Sequence, residues 1–387
     1  MGGKIMLDIM SEISIENKDL FNEARLKELM KEEGLAAVVG FSPANVRYMS
    51  GYYNIDMHLL PEIMHAVIWP LEGEPTFMVY ENNNPFRTFI SDVRRFPAYS
   101  EIDTALWSLV DILKEKGLSG EKIGLEKRYV SAYNWEVINN ELPEVYWVDG
   151  TDVMERTRFI KTPKEVDLLR AAVRATDKSI FLAYAGARPT DTEKSVGDAM
   201  SHNVMRNGAD IVAFNIIASG RRTTQGHFLG EDTQLEKGTI MRCDFGANFS
   251  GYFTDLARMA VIGKPSQRQQ DTYKKFLEVQ QRSLQAARPG VTGEELYDRS
   301  IQAHYDLGLG WRTMVGHSIG VTVHERPIAA PGEPWEFQEG MVLCIENGST
   351  EQDYGERYHI EDTILVTKDG YEMLSDYTNT ESMTVIE

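Results

Sequence analysis

The spacing of apolar and polar residues in the first 155 positions predicts helices that alternate with strands. Positions 17–33 have helical periodicity and are followed by Gly34, a residue that favours a helix C-terminus. Short apolar runs bounded by turn residues predict strands, and Glu72-Gly73 lies between two of them as a hairpin turn would. The pattern indicates an α/β domain over residues 1–155. Its predicted elements are helices over 17–33 and 102–116 and strands over 35–41, 66–69, 75–80 and 122–125.

The rest of the chain repeats one layout, in which two helices precede a strand and a hairpin. A capping box at Thr162-Pro163-Lys164-Glu165, with proline at the first helical position, predicts the start of the first copy. The second copy starts near Gln267, and the second helices of the two copies end near Gly208 and Gly308. This offset predicts an α+β domain over 156–387 with an internal pseudo-twofold repeat, its sheets packed together and its helices outside.

Each copy of the repeat carries two carboxylates in its hairpin. Asp244 and Asp255 are equidistant from a turn around Phe249-Ser250, and Glu346 and Glu361 are arranged alike in the second hairpin. Residues equidistant from a turn face each other across the strands, where like charges repel. Burying them unpaired costs on the order of several kcal/mol per ion. We therefore predict a metal centre in which two divalent cations neutralise four carboxylates.

Two histidines near the second hairpin are candidates for a nitrogen ligand. His317 begins an apolar strand, and His324 comes seven residues later. An odd separation on a regular strand places two side chains on opposite faces, so both can serve one site only if Gly320 interrupts the strand. A lone histidine on such a strand is ordinarily a hydrogen-bonded core residue. Beside four unpaired acids, we interpret His317 as a metal ligand and His324 as a supporting neighbour.

Composition and charge narrow the possible partners. A length of 387 residues predicts two domains, and a formal net charge of −19 argues against binding nucleic acid or an anionic membrane. No apolar run reaches membrane-spanning length, and Asp8 and Glu12 interrupt any signal-peptide region, so a cytoplasmic location is expected. The two cysteines, Cys243 and Cys344, exclude a disulfide framework and are interpreted as small buried residues.

The order and context of these candidates resemble those of the pita-bread metallopeptidases, the family of Xaa-Pro dipeptidase (prolidase) and aminopeptidase P. The resemblance covers roughly residues 162–370, and the segment from Ser42 to Tyr52 is similar to part of the family's creatinase-type N-terminal domain. The motifs that carry it contain the five candidate ligands Asp244, Asp255, His317, Glu346 and Glu361.

The resemblance implies a creatinase-like N-terminal domain and a pita-bread (creatinase/aminopeptidase-like) catalytic domain that holds two divalent cations. A water or hydroxide would bridge the cations, which lower its pKa and make it nucleophilic. Oxygen-rich ligands favour Mn²⁺ or Co²⁺, with Zn²⁺ left open. Glu346 would act as ligand and proton shuttle, while His227 and His324 would steady the substrate and the developing oxyanion. Members of the family commonly form homodimers.

Two positions depart from the family's peptidases. His359 lies two residues before Glu361, where an arginine is usual, and imidazole cannot reproduce a guanidinium fork. Asn347 follows Glu346, where proline is common. We include His359 among the catalytic candidates and expect an altered substrate rim.

The expected function is hydrolysis of the amide bond in Xaa-Pro dipeptides or at an N-terminal Xaa-Pro of peptides. One alternative keeps the metals and changes the substrate, as in a hydrolase or lyase that acts on a small zwitterion. Another is a catalytically inactive binding module, which would not need all five ligands. Without the resemblance, His227 would be interpreted as an ordinary exposed loop histidine.

Overall fold

The chain forms two compact units, the first ending at Arg158 and the second comprising Phe159–Glu387. Two predictions concern residues outside the described ranges: the missing signal peptide at the start of the chain and the start of the helix near residue 102. Among the described helices, none is both long and apolar enough to cross a bilayer. The computed structural model describes residues 16–54, 56–60, 63–84, 87–97 and 104–387.

A mixed sheet forms the centre of the first unit. Its described strands are β1 (Ala37–Gly40), β2 (Ala66–Pro70), β3 (Thr76–Tyr80), β4 (Asp92–Phe96), β5 (Lys122–Leu125) and β6 (Tyr146–Asp149). They lie in the order β4-β3-β2-β1-β5-β6. The antiparallel pairing of β2 with β3 confirms the predicted hairpin, whereas β1, β5 and β6 are parallel to one another.

Helices pack on this sheet, and the apolar pattern predicted only some of them. The predicted helix over 17–33 is divided into a 3-10 turn, Asn17–Leu20, and a helix that Asn22 caps. The pattern missed a short helix that begins at Pro43 and is capped by Ser42. The helices are α1 (Glu23–Glu32), α2 (Pro43–Ser50), α3 (Asp56–Leu59), α4 (Thr104–Glu115), α5 (Ala132–Glu141) and α6 (Thr151–Thr157).

The long helices of the second unit begin at capping boxes, and the first of these, at Thr162, is the one that the sequence predicts. Their N-cap residues are Thr162, Thr192, Ser266 and Thr292, and each accepts a hydrogen bond from the backbone N–H three residues later. In every case the side chain at that third position accepts in return from the N-cap backbone. These helices are α7 (Pro163–Gly186), α8 (Glu193–Arg206), α9 (Gln267–Ala286) and α10 (Gly293–Asp306).

Two sheets in the second unit confirm the repeated order of helix, helix, strand and hairpin. The first copy contributes β7 (Ile211–Ser219), β8 (Ile240–Phe249), β9 (Tyr252–Phe253) and β10 (Leu256–Ile262). The second contributes β11 (Gly316–Ser318), β12 (Glu325–Ile328), β13 (Val342–Glu351), β14 (Glu356–Thr367) and β15 (Gly370–Met373), and β16 (Thr384–Ile386) joins the first sheet. The orders are β16-β10-β8-β7, with β9 on β8, and β12-β11-β13-β14-β15.

The registers of the two acidic hairpins differ from each other. Glu346 lies directly opposite Glu361, which confirms the prediction for the second hairpin. The prediction for the first was wrong, because Asp244 lies opposite Ala257. The turn consists of Ser250-Gly251, both with positive φ (53° and 89°), as a two-residue hairpin turn of the primed type requires. Asp255 therefore lies diagonal to Asp244, in the break between β9 and β10.

Candidate metal centre

Strands from both copies of the repeat place the predicted residues around one cavity of about 600 Å³. Asp244 comes from β8, Glu346 and Glu361 come from β13 and β14, and Asp255 immediately precedes β10. His317 lies on β11 and approaches the same carboxylates. The cavity is lined by Phe214, Asn215, Ile216, Gly226, His227, Leu229, Arg242, Asp244, Asp255, Arg312, Met314, Val323, His324, Glu346, Arg357, His359 and Glu361.

Overlapping groups of side chains in this cavity offer ligand atoms close enough for a shared cation. In one group the ligand atoms of Asp244, Asp255 and Glu361 all lie within 4.8 Å of one another. His317 Nε2 lies 3.8 Å from Asp255 Oδ2 and 3.7 Å from Glu361 Oε1. Glu361 also forms a group with Glu346. The two acidic hairpins therefore meet at one place, even though the register of the first differs from the predicted one.

The atoms that meet here are acceptors without donors. Asp255 Oδ1, Glu361 Oε1 and His317 Nε2 are buried and have no hydrogen-bond partner. His317 Nδ1 lies 3.0 Å from the carbonyl oxygen of Ser318, so the tautomer that donates from Nδ1 leaves Nε2 with a lone pair toward the carboxylates. Buried acceptors left facing one another need a cation or a proton between them. The donor set therefore fits divalent metal ions.

The electrostatics of the cluster point the same way. Burial, followed by repulsion from the neighbouring carboxylates, raises the pKa of Asp255 and of Glu361 well above their ordinary values. Burial also lowers the pKa of His317 to about 4, which keeps its ring neutral and able to bind a cation. Without cations, Asp255 and Glu361 therefore favour the protonated form more strongly than exposed carboxyl groups do. Bound cations would take the place of protons at Asp255 and Glu361 and favour their ionised forms.

Glu346 has a different environment from the other acids. Burial opposes its ionisation, but the Arg312 guanidinium and the His359 ring more than offset that effect and hold its pKa well below the ordinary value. Arg312 donates a short hydrogen bond to Glu346 Oε2, and His359 Nε2 lies 3.0 Å from the same oxygen. On the other side of the ring, His359 Nδ1 lies 3.7 Å from Asp244 Oδ2. Glu346 is thus ionised and held in place by two cationic or donating groups.

Two further predicted histidines lie at the rim of the cavity. His324 is exposed, and its ring centroid lies 4.2 Å from that of His317. The strand interruption expected at Gly320 is present, because β11 ends at Ser318. His227 is also exposed and lines the cavity from the loop that follows the 3-10 turn Gly220–Thr224. Both rim histidines are positioned to reach a bound molecule.

Other buried groups support the cluster without joining it. Arg258 makes ion pairs with Asp177 at 3.0 Å and Asp362 at 3.1 Å, and it also donates to the Glu361 carbonyl oxygen. Arg258 is therefore a structural partner of these carboxylates. Cys344 lies near the acids, but burial and their charges raise its thiol pKa well above the ordinary value, so it stays protonated. Its predicted role as a small buried residue fits this position.

The structure corrects the interpretation of Asn347. Its side chain is fully buried and donates to Gln280 Oε1 and Ser283 Oγ on α9, so it does not line the cavity. Of the two departures, only His359 lines the cavity, so the predicted alteration of the substrate rim now depends on His359. Sequence reasoning also missed the three arginines that line the cavity: Arg242, Arg312 and Arg357. The sequence pattern could have identified Arg242 and Arg357, because each lies two residues before a predicted site residue and therefore on the same face of its strand.

Comparison with known proteins identifies the class to which this fold and site belong. Residues 167–368 match metallopeptidase family M24, and residues 24–160 match the creatinase/prolidase N-terminal domain. The chain belongs to metallopeptidase family M24. It is a metallopeptidase with an α/β creatinase-type N-terminal domain and a pita-bread catalytic domain, which confirms the predicted family and fold class.

Individual relatives extend over nearly the whole chain. An Xaa-Pro dipeptidase of Pyrococcus horikoshii is 30% identical over 364 residues, covering 92% of this chain and 98% of that protein. The crystal structure of the prolidase from Pyrococcus horikoshii OT3 has a TM-score of 0.78 and 27% identity over 92% of this chain and 99% of that one. An X-Pro aminopeptidase structure from Thermotoga maritima, 23% identical with a TM-score of 0.79, shares the fold over 93% of this chain and 100% of that one.

Proposed function

We propose that this protein hydrolyses the amide bond before proline in Xaa-Pro dipeptides or at the N-terminus of Xaa-Pro peptides. Asp244, Asp255, His317, Glu346 and Glu361 would hold two divalent cations. The convergence of buried, partnerless acceptor atoms from both acidic hairpins is the observation that carries this proposal. The Xaa-Pro dipeptidase similarity over nine-tenths of the chain supports the choice of substrate class.

Cations bound here supply Lewis-acid polarisation of the substrate carbonyl and a lowered pKa for a water molecule. The chain's own residues do the rest. Glu346 accepts the proton of the attacking water at a carboxylate oxygen and passes it to the departing proline nitrogen, since Arg312 and His359 keep Glu346 ionised beforehand. His227 and His324 at the rim donate hydrogen bonds to the substrate and to the developing oxyanion.

The identity of the metal, the location of the protein and its subunit number are further parts of the proposal. Four of the five ligands offer oxygen, which favours Mn²⁺ or Co²⁺ over Zn²⁺. The cytoplasmic location expected from the sequence stays a prediction, and so does the homodimer that the family resemblance implies. Sedimentation equilibrium of the purified protein measures the subunit number directly.

A substrate screen tests the proposed function. Metal-free protein is loaded with Mn²⁺, Co²⁺ or Zn²⁺ and assayed against Xaa-Pro dipeptides, Xaa-Pro-Xaa tripeptides and small betaine-type zwitterions. We expect turnover of an Xaa-Pro peptide that chelation abolishes and metal restores. Turnover of a zwitterion alone would favour the non-peptidase alternative. Failure to retain metal at any pH would instead indicate an inactive binding module.

Substitution of His324 by Ala should spare the metals and depress turnover. His324 contacts the His317 ring from an exposed position, so its loss removes a substrate contact without removing a buried ligand. We expect kcat/KM to fall by roughly a hundred- to a thousandfold, the range typical of one catalytic hydrogen-bond donor. Metal content is measured by elemental analysis. His202→Ala, at an exposed position on α8, is the matched control, and loss of metal from the His324 variant would show that His324 is a ligand.

A further inference from the structure

Three arginines line the catalytic cavity and lie close enough for their charges to repel one another. Arg242 precedes Asp244 by two residues on β8, and Arg357 precedes His359 by two residues on β14. Side chains two apart on a strand share a face and lie about 7 Å apart along it. The arginines therefore form a cationic layer beside the carboxylate layer. Arg312 reaches the same region from the segment before β11 and contacts Glu346.

The charges of two of these three guanidinium groups are poorly compensated. Within the part of the chain that the structure describes, neither Arg242 nor Arg357 forms an ion pair, and Arg357 Nε is buried without a hydrogen-bond partner. Arg242 donates to the backbone carbonyls of Thr223, Gln225 and Gly226, which fixes that loop but cancels no charge. Burial and repulsion from Arg312 and Arg242 lower the pKa of Arg357 to about 10. Mutual repulsion among buried cations is costly unless an anion joins them.

Arg312 also has unused donor capacity. Its Nη2 donates to Glu346, while Nη1 is buried and has no hydrogen-bond partner. Arg357 Nε and Arg312 Nη1 are thus two donors that no residue in the described part of the chain accepts. A planar carboxylate is the natural partner for such guanidinium donors, because it accepts from two N–H groups at once.

With cations bound, the cavity would carry more positive charge than the single carboxylate of a neutral dipeptide can balance. Four carboxylates and three guanidiniums line it. Two divalent cations, as in the proposed function on which this step rests, would balance the four carboxylates and leave three positive charges. A neutral dipeptide brings one ammonium and one carboxylate, and so adds no net negative charge. A dipeptide with an acidic side chain adds a second carboxylate to the same region.

We propose that Arg357 and Arg312, with Arg242 behind them, select substrates that carry an acidic side chain in addition to the terminal carboxylate. The preferred substrates are dipeptides that contain Glu or Asp. The arginines bind and orient the two carboxylates next to the cleaved amide.

Glu-Pro and Gln-Pro test this inference, because they have nearly the same shape and differ in charge. With metal-loaded enzyme, we expect kcat/KM for Glu-Pro to exceed that for Gln-Pro by roughly ten- to a hundredfold, the range of a charge-assisted hydrogen bond. Calorimetry with glutarate and glutaramate, which are not cleaved, gives the same comparison for binding alone. Glutarate should bind more tightly by a similar factor.

Variants at Arg357 show whether this arginine carries the preference. Arg357→Gln should bring the ratio of kcat/KM for Glu-Pro to that for Gln-Pro near one. Arg357→Lys is the second variant, for use if the Gln variant folds poorly, and it should retain part of the preference. Arg221→Gln is the matched control, because Arg221 is exposed and does not line the cavity. It removes the same charge and should leave the ratio unchanged.

The outcomes separate this inference from the proposed function. Cleavage of Gln-Pro and Leu-Pro without any advantage for Glu-Pro would overturn the inference and leave the proposed function intact. If neither Xaa-Pro dipeptides nor Xaa-Pro-Xaa tripeptides are cleaved, the proposed function fails, and the glutarate comparison still decides the inference. Equal binding of glutarate and glutaramate, or an acidic preference that survives in Arg357→Gln, would overturn it.

Discussion

Substitution of Asp255 by Asn lowers the metal content of the protein and reduces turnover by roughly a thousandfold or more. Asp255 Oδ1 has no hydrogen-bond partner, and Oδ2 lies 3.8 Å from His317 Nε2, so both oxygens are available to cations. An amide of the same shape offers one weaker oxygen and no charge. Elemental analysis gives the metal stoichiometry, and kcat/KM on an Xaa-Pro dipeptide gives the activity.

The same substitution is expected to stabilise the metal-free protein. Burial and neighbouring carboxylates raise the pKa of Asp255, so the folded state favours the protonated acid, and stability falls as pH rises through the raised pKa. Asn carries no ionisable group, so the variant does not lose stability in this way. The metal-free variant should therefore unfold at a higher temperature than the metal-free wild type at pH 8. Asp353→Asn, in the exposed turn of the second hairpin, is the matched control. Normal metal content and full activity in Asp255→Asn would refute the ligand assignment.

The two acidic hairpins show what a sequence can and cannot specify. Glu346 and Glu361 were placed correctly because their strands are long, regular and joined by a turn centred where the apolar pattern predicts it. The first hairpin turns one residue later, at Ser250-Gly251, because the positive φ that a tight turn needs falls on these two residues. A turn displaced by one residue moves the pairing by two, and the strand then breaks at Asp255.

The convergence of the four acids was predictable despite that error. Asp244 and Asp255 lie diagonal to each other and still bring their carboxylates together with that of Glu361, as a facing pair would. The helices of the repeat were predictable for a local reason, since capping boxes depend on residues three apart. Fold class followed from these features and from the family resemblance.

Other features depend on tertiary contacts that no local pattern carries. Arg312 lies in an irregular segment between α10 and β11, so neither period of 3.6 nor period of 2 assigns it a direction. Asn347 alternates away from the cavity because its neighbour Glu346 faces into it, a distinction that the motif resemblance did not make. In the first unit, α2 is too short for its periodicity to stand out from the flanking turns.

Glu346→Gln has an effect of similar size on turnover, for a different reason. Gln cannot accept a proton, so it removes the proposed shuttle together with one charged ligand, and we expect kcat to fall by roughly a thousandfold. Arg312 and His359 then lose the carboxylate that both contact. Because the pKa of Glu346 is lowered in the folded state, its charge adds stability at neutral pH, and that contribution is lost only as pH falls.

The two carboxylate substitutions should therefore change stability in opposite directions. Breaking a buried ion pair costs up to about 3–5 kcal/mol, so metal-free Glu346→Gln should unfold at a lower temperature than metal-free wild type, whereas Asp255→Asn should unfold at a higher one. Glu351→Gln is the matched control. Glu351 lies on the same strand as Glu346 but outside the cavity, and its substitution breaks an ion pair with Arg268 of α9. It should cost about 1 kcal/mol or less and leave turnover unchanged. Equal shifts of the unfolding temperature in both metal-free variants would show that Arg312 does not discriminate between the two acids. Retained turnover in Glu346→Gln would show that Glu346 does not transfer the proton.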